Sequence, residues 1–147
     1  MRSRRSLLFA LVVAAMMATA CSSNVFEVEE ATDWTPDVPF ATWTPQGIDT
    51  RLRLQVGLVE LADDCMIYTP PGRDESASAT VVLPDQGDLS WSEETQQLIV
   101  GDHVFRSGTA VKIGGGSIVA ATELDSSVQA CTDRAILARS IRVDDSN

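Results

Sequence analysis

The chain has 147 residues, with 11 lysines and arginines against 21 aspartates and glutamates, and a formal net charge of −10 at pH 7. A chain this acidic repels phosphate backbones, so the composition argues against nucleic acid as a partner. Aromatic residues make up only 5% of the chain while Val, Ile, Leu, Thr and Gly are plentiful, which favours a small β domain.

The first 21 residues have the regions of an export signal. Three arginines make a positive start, residues 7–17 form an apolar run, and small residues at 18–20 come before Cys21. This order resembles the bacterial lipoprotein signal, in which the cysteine is diacylated and becomes the mature N-terminus. The resemblance implies a signal peptide over residues 1–20 and a lipid on Cys21. It also implies an exported protein anchored to the outer face of the cytoplasmic membrane, or to the outer membrane if the cell has one.

Two other interpretations of this stretch stay open. Residues 18–20 also fit an ordinary secretory cleavage site, which would release a soluble protein beginning at Cys21. The apolar run could instead remain as an anchor helix, although it is shorter than the roughly 20 residues that span a bilayer. Cysteine parity favours lipidation. With a lipid on Cys21, Cys65 and Cys131 are left as an even pair, for which an oxidising compartment predicts a disulfide.

Residues 21–47 are predicted to be an acidic tether. Three prolines prevent a continuous helix or central strand, and the Trp-Thr-Pro steps that begin at Trp34 and Trp43 favour extended backbone. The two tryptophans and Phe40 are candidates for an aromatic patch that contacts an envelope protein or a glycan, and the Thr-Pro pairs are candidate glycan acceptors. The alternative is that one or both tryptophans fold back and cover an edge of the domain.

Residues 48–147 are predicted to be a small β domain. The first strand alternates apolar and polar residues, which places Leu52, Leu54, Val56 and Leu58 on an inward face and suggests a bulge near Gly57. Further strands are predicted at 65–68, 79–83, 98–100, 103–106, 109–113, 117–120 and 136–143, with one short helix at 124–132. The predicted inward side chains of these strands are Ile67, Val82, Val104, Val111 and Ile141.

Many short strands separated by turns predict a mainly β fold, a small closed or partly open β-barrel (OB-like or similar) with one short helix. A domain of this size buries a modest core, so the predicted Cys65–Cys131 disulfide would matter to its stability. Trp91 follows a turn and comes before a polar stretch, which makes it a cap of the barrel or the wall of a shallow site. It is the third candidate for partner contact.

The order of several segments is similar to that of small exported actinobacterial domains of unknown function. The similar segments are Cys65-Met66-Ile67-Tyr68, Trp91, Gly114-Gly115-Gly116 and the late Cys131, within residues 50–143. The resemblance implies a barrel with one disulfide and no particular chemistry.

Few residues could carry catalysis. His103 is the only histidine, which excludes a metal site built on several histidines. The carboxylate pairs at 63–64, 74–75, 93–94 and 144–145 lack the alternating spacing of a calcium loop and fall in predicted turns. The glycine triplet at 114–116 lacks the lysine and the helix of a phosphate loop. The sequence therefore predicts no metal and no cofactor.

The sequence predicts a membrane-anchored, non-enzymatic binding or interaction module of the cell envelope. The alternative is an envelope hydrolase or a metal-assisted enzyme that uses acidic turn residues near His103. A carboxylate within hydrogen-bond reach of His103 in a concave pocket would favour the enzyme. The sequence leaves the oligomeric state and the identity of the partner open.

Overall fold

The computed structural model describes residues 30–47, 53–115 and 117–146, and the fold of these residues is mainly β. The predictions for residues 1–21 and for Leu52 lie outside the described ranges. Within those ranges no helix is long and apolar enough to cross a bilayer. The strands are β1 Thr42–Trp43, β2 Leu54–Ala62, β3 Cys65–Thr69, β4 Ala79–Pro84, β5 Leu89–Ser92, β6 Gln97–Val100, β7 His103–Phe105, β8 Thr109–Gly114, β9 Ser117–Ala120, β10 Arg134–Leu137 and β11 Ser140–Val143.

The strands form two sheets. The main sheet has the order β11-β8-β2-β3-β4-β10-β9, and the short β1 joins it by pairing with the end of β4. The second sheet is the meander β5-β6-β7. One hydrophobic cluster joins both sheets, so they share a single core. Its largest fully buried side chains are Phe105, Met66, Leu83, Leu98, Ile113 and Ile136.

The main sheet is curled, but its described strands do not close into a barrel. Its two end strands, β11 and β9, do not pair with each other. Nevertheless β11 packs against β4, which is four steps away along the sheet, and it also packs against β7 of the smaller sheet. The mainly β prediction is therefore confirmed, and closure of the sheet is not found among the described residues.

Strand β2 presents the opposite face to the core from the one that its alternation predicts. The predicted inward residues Leu54, Val56 and Leu58 are 54%, 38% and 53% exposed, whereas Val59 and Leu61 are buried. The inward prediction for this strand is therefore wrong. Of the other predicted inward side chains, Val82, Val111 and Ile141 are buried, while Ile67 and Val104 are partly exposed.

Tyr68 on the neighbouring strand explains this choice of face. Its hydroxyl donates a hydrogen bond to the Val56 carbonyl oxygen at 2.7 Å, which brings the ring over Gly57. A Cβ atom at position 57 would lie 2.5 Å from Tyr68 Cε2 and 2.4 Å from the Thr69 carbonyl oxygen. Gly57 is thus the core-facing residue at this point of β2, and its lack of a side chain leaves room for the Tyr68 ring. Pairing with β8 continues through it from Leu54 to Val59, without the predicted bulge.

The helix predicted over residues 124–132 is not formed. A single 3₁₀ turn at Ala121–Glu123 is followed by bends and turns. At the end of this stretch the Cys131 and Thr132 amides donate to Thr80 Oγ1 at 3.0 and 3.2 Å. These bonds to a side chain satisfy both amides and compete with a helical pattern.

The last predicted strand is two strands. At the bend between β10 and β11, the Ala138 amide donates to the Val82 carbonyl at 3.0 Å, and the Arg139 amide donates to the Gly114 carbonyl at 3.2 Å. The chain therefore crosses at this bend from β4 to β8. This crossing contributes to the curl of the main sheet.

The predicted disulfide between Cys65 and Cys131 is confirmed. Their Cα atoms lie 6.3 Å apart, and the cysteines are 66 residues apart in the chain. The bond joins the start of β3 to the loop before β10. Closing a loop of this length stabilises the fold by about 4 kcal/mol in the chain-entropy account.

The described part of the predicted tether is bound to the domain. The Leu83 and Asp85 amides donate to the carbonyl oxygens of Ala41 and Trp43, both at 2.9 Å. The Trp43 indole N–H donates to the Ala138 carbonyl oxygen at 2.7 Å. Here the fold-back alternative describes the structure, and this segment is part of the folded domain rather than a spacer in front of it.

Replacing Gly57 with alanine should destabilise the domain by about 1–3 kcal/mol, because the added methyl group overlaps the Tyr68 ring and the Thr69 carbonyl. Urea denaturation of the purified chain measures this change. Glu60→Ala, an exposed change on the same strand, serves as the control and should alter stability by no more than about 0.5 kcal/mol. Equal midpoints for Gly57→Ala and the wild type would show that Tyr68 does not require the glycine.

Candidate functional site

A cleft of about 490 Å³ lies where three segments meet: the N-terminal segment before β1, the β2–β3 turn and the β5–β6 turn. Apolar side chains form its floor and carboxylates form its rim. We call it the acidic cleft. The carboxylates that line it are Asp33, Asp37, Asp63, Asp64 and Glu93.

Phe40 and Trp91 form the floor of the acidic cleft. Their ring centroids are 5.0 Å apart and their planes meet at 89°, an edge-to-face arrangement. This geometry brings the positive edge of one ring to the negative face of the other, and such pairs contribute about 0.5–1.5 kcal/mol beyond burial. The rings are 5% and 8% exposed, so each keeps a small surface open to the cleft.

Backbone hydrogen bonds hold the N-terminal wall against this floor. The Thr35 amide donates to the Trp91 carbonyl oxygen at 3.0 Å, and the Trp91 amide donates to the Thr35 carbonyl oxygen at 2.8 Å. The exchange of two bonds is that of an antiparallel strand pair, reduced here to a single bridge. The wall therefore has a defined register relative to β5.

Asp33 fastens the start of the same wall. Its carboxylate accepts a hydrogen bond from the Ser92 hydroxyl at 2.6 Å and another from the Glu94 amide at 2.9 Å. These two bonds, the Ser92 hydroxyl first, hold the pKa of Asp33 below its usual value of 3.8. Asp33 is thus an ionised structural residue as well as part of the acidic rim.

Backbone strain is concentrated at the acidic cleft. Within the described ranges, the non-glycine residues with positive φ are Asp63, Asp64 and Gln96, at 49°, 60° and 52°, and all three line this cleft. Asp63 and Asp64 are the central residues of a two-residue hairpin turn that needs positive φ at both positions. Glycine and asparagine adopt positive φ with less steric strain. Unfavourable backbone gathered at one cleft is a physical sign of a functional site.

The charge of the cleft is entirely of one sign. Five carboxylates line it, and no Lys, Arg or His side chain does. The described residues contain no group of three metal-binding side chains placed to hold an ion. The carboxylates are therefore spread around the rim. This distribution suits an extended ligand with several positive charges better than it suits a single metal ion.

The three tryptophans that the sequence offers for partner contact lie in different places in the structure. Trp91 lines the floor of the acidic cleft. Trp43 lies elsewhere, bound to Ala138, with the Arg139 guanidinium carbon 5.8 Å from its ring centroid. Trp34 is half-buried and does not line the cleft. Phe40, which the sequence groups with Trp34 and Trp43 as a candidate aromatic patch, is the member of that group that lies on the cleft floor.

His103 lies in a different cavity, of about 410 Å³, which is lined by Arg53, Lys112 and Arg142 and by no carboxylate. Among the described residues, His103 has no hydrogen bond to an acidic side chain. The acidic turns at 63–64 and 93 belong to the acidic cleft instead.

Comparisons of the chain with protein-family models, with characterised proteins and with solved structures find no match.

Replacing Asp33 with asparagine should make the free energy of unfolding fall less steeply as the pH is lowered into the acid range. Since the native pKa of Asp33 is lowered, its contribution is complete above the unfolded-state pKa near 3.8 and disappears as the pH falls through the native value. Asp33→Asn should be less stable than the wild type at pH 7, and the difference should shrink in strong acid. Thermal denaturation across this pH range tests the expectation.

Asp37→Asn is the matched control. The Asp37 carboxylate lines the same cleft but accepts no hydrogen bond within the described ranges. Since no such bond is removed, its variant should keep the stability of the wild type at pH 7. If Asp33→Asn lost stability in acid as steeply as the wild type does, the Asp33 carboxylate would not be the group that holds the N-terminal wall to Ser92 and Glu94.

Proposed function

We propose that the protein is a lipid-anchored, non-enzymatic binding module of the cell envelope, and that its acidic cleft takes a basic segment of a partner protein. The observation that carries this proposal is the gathering of five carboxylates and no cationic side chain around an aromatic floor.

Lysine and arginine side chains fit both parts of such a cleft. Their methylene stems pack on apolar and aromatic surface, while their charged ends form charge-assisted hydrogen bonds with carboxylates. The cleft volume of about 490 Å³ lies within the usual range for ligand sites. A short segment with several basic residues could therefore place its stems toward Phe40 and Trp91 and its charges toward the rim.

The order of the first 21 residues, with arginines, an apolar run and small residues before Cys21, supports the membrane anchor. Asp33, the first residue of the cleft wall, follows Cys21 by 12 positions. A chain of that length spans at most about 40 Å when fully extended. A lipid on Cys21 would thus keep the cleft close to the membrane, where basic segments of other envelope proteins are within reach.

We also interpret the curled main sheet as a partly open barrel. The packing of β11 against β4 supports this interpretation, because it brings distant strands of the sheet together. On this interpretation the smaller sheet and the N-terminal segment close one end of the barrel, and the acidic cleft lies there.

The hairpin carboxylates Asp63 and Asp64 should contribute strongly to binding of a basic peptide. We expect Asp63→Asn/Asp64→Asn to weaken binding of a fluorescent peptide of alternating arginine and glycine by about tenfold, since each exposed charge pair contributes roughly 0.7 kcal/mol. Fluorescence anisotropy at low ionic strength measures this change. A peptide with glutamate in place of arginine should not bind.

Asp102→Asn/Asp145→Asn removes the same net charge from exposed positions outside the cleft. It should leave the affinity for the arginine peptide nearly unchanged. An equal loss of affinity in both double variants would show that net charge, and not the cleft, attracts the peptide.

The Cys21→Ala variant tests the anchor separately. In the native host, the wild-type protein should partition into the detergent phase and carry a lipid-modified N-terminal cysteine by mass spectrometry. Without the cysteine thiol no diacylglyceryl group can be attached, so the variant should lose this lipid. Identical aqueous partitioning of both proteins would contradict the anchor without affecting the cleft.

A further inference from the structure

The outer face of β2 carries a row of exposed apolar side chains. Leu54, Val56 and Leu58 are 54%, 38% and 53% exposed and, at alternate positions of one strand, they project from the same face. In a soluble domain, clustered exposed apolar side chains mark an interaction surface more often than single ones do. The strand is an inner strand of the main sheet, so this row lies on a face of the sheet and not at its edge.

Basic side chains lie directly beside this row. Lys112 on β8 pairs with Val56, and Arg142 on β11 pairs with Lys112, so the three residues form one row across the sheet. Arg53 comes immediately before the strand and lines the same 410 Å³ cavity as Lys112 and Arg142. No carboxylate lines that cavity.

The arrangement leaves positive charge uncompensated. Lys112 and Arg142 lie directly opposite each other, an unfavourable placement for like charges on neighbouring strands. Lys112 forms an ion pair with Asp144 at 2.6 Å, whereas Arg142 and Arg53 are exposed and have no ion-pair partner among the described residues. An anion bound at this face would relieve the repulsion.

We propose that this basic–apolar face, formed by Arg53, Leu54, Val56, Leu58, Lys112 and Arg142, docks on the surface of a bilayer that contains anionic phospholipids. Lipid phosphates would pair with the cations, and the three apolar side chains would enter the boundary between headgroups and acyl chains. The docking is separate from the acidic cleft and draws on the proposed lipid anchor only for proximity to the membrane.

The carboxylates of the acidic cleft do not oppose this docking at close range. The basic–apolar face begins at the first residue of β2, and the acidic cleft lies at its last residues and the following turn. Eight residue steps of a strand cover about 26 Å. This distance is roughly three Debye lengths at physiological salt, so the cleft carboxylates are largely screened from the lipid surface.

A bilayer fits this face better than a second copy of the chain does. A two-fold symmetric contact buries the same patch of both subunits, so it would gather the basic side chains of both copies in one interface without supplying an anion. A soluble polyanion would match the cations but would leave the three apolar side chains in water. An anionic bilayer satisfies both groups.

The chain of residues 22–147, which keeps every described residue and lacks Cys21, tests the proposal by vesicle flotation. It should float with vesicles of equimolar phosphatidylglycerol and phosphatidylcholine, less so at high salt, and not with phosphatidylcholine alone. Arg53→Gln/Arg142→Gln should lower the partition coefficient by about thirty-fold, the expected effect of removing two basic residues from an anionic surface. Leu54→Ser/Leu58→Ser should lower it by a similar factor.

Arg73→Gln/Arg134→Gln, the control with equal loss of charge, should float like the wild type. Both face variants should keep the thermal midpoint of the wild type and its affinity for the arginine peptide, so that failure of this proposal is distinct from failure of the cleft. Flotation that is insensitive to both face variants would overturn the proposal. Self-association that the Leu54→Ser/Leu58→Ser variant abolishes, without vesicle binding, would also overturn it and would identify a second copy as the occupant.

Discussion

The edge-to-face contact of Phe40 with Trp91, reinforced by the two backbone hydrogen bonds between Thr35 and Trp91, is the interaction on which the candidate site depends. It holds the N-terminal segment against the smaller sheet, while β1 holds the same segment against β4 of the main sheet. Without this contact the acidic cleft would lose one wall and half of its floor. The segment that follows the predicted lipidation site therefore also builds part of the proposed binding site.

Strand β2 separates two surfaces of opposite charge. Carboxylates gather at its end, in the strained turn of Asp63 and Asp64, and basic residues gather around its beginning, at Arg53 and its neighbours. Formal net charge alone hides this polarity, because acidic residues outnumber basic ones in the chain as a whole. Screening over the length of the strand lets each end act on its surroundings independently. The proposed partner and the proposed lipid surface are accordingly assigned to different ends.

Local pattern in the sequence was sufficient for most strands and for the disulfide, because alternation, turn residues and cysteine parity are local or compositional signals. Local pattern was insufficient where contact with a residue elsewhere in the chain determines the facing of a strand or the absence of a helix. The face of β2 is set by Tyr68 over Gly57, and the absence of the helix at 124–132 reflects the bonds that the Cys131 and Thr132 amides make to the distant Thr80. Trp91 could be suggested as a wall because a polar stretch follows it. The pairing of Phe40 with Trp91 could not be foreseen, because four strands, β1 to β4, lie between them along the chain.

Hydrogen exchange of the purified chain, followed by NMR, tests most directly whether the N-terminal segment belongs to the fold. The informative amides are those of Thr35 and Trp91, which bridge the segment to the smaller sheet, and that of Leu83, which donates to Ala41. They should be protected nearly as strongly as the amides that pair β2 with β8, since the cleft wall and the core would open together. Exchange of the Thr35 and Leu83 amides at the rates of an unstructured peptide, beside a protected β2–β8 ladder, would contradict this account.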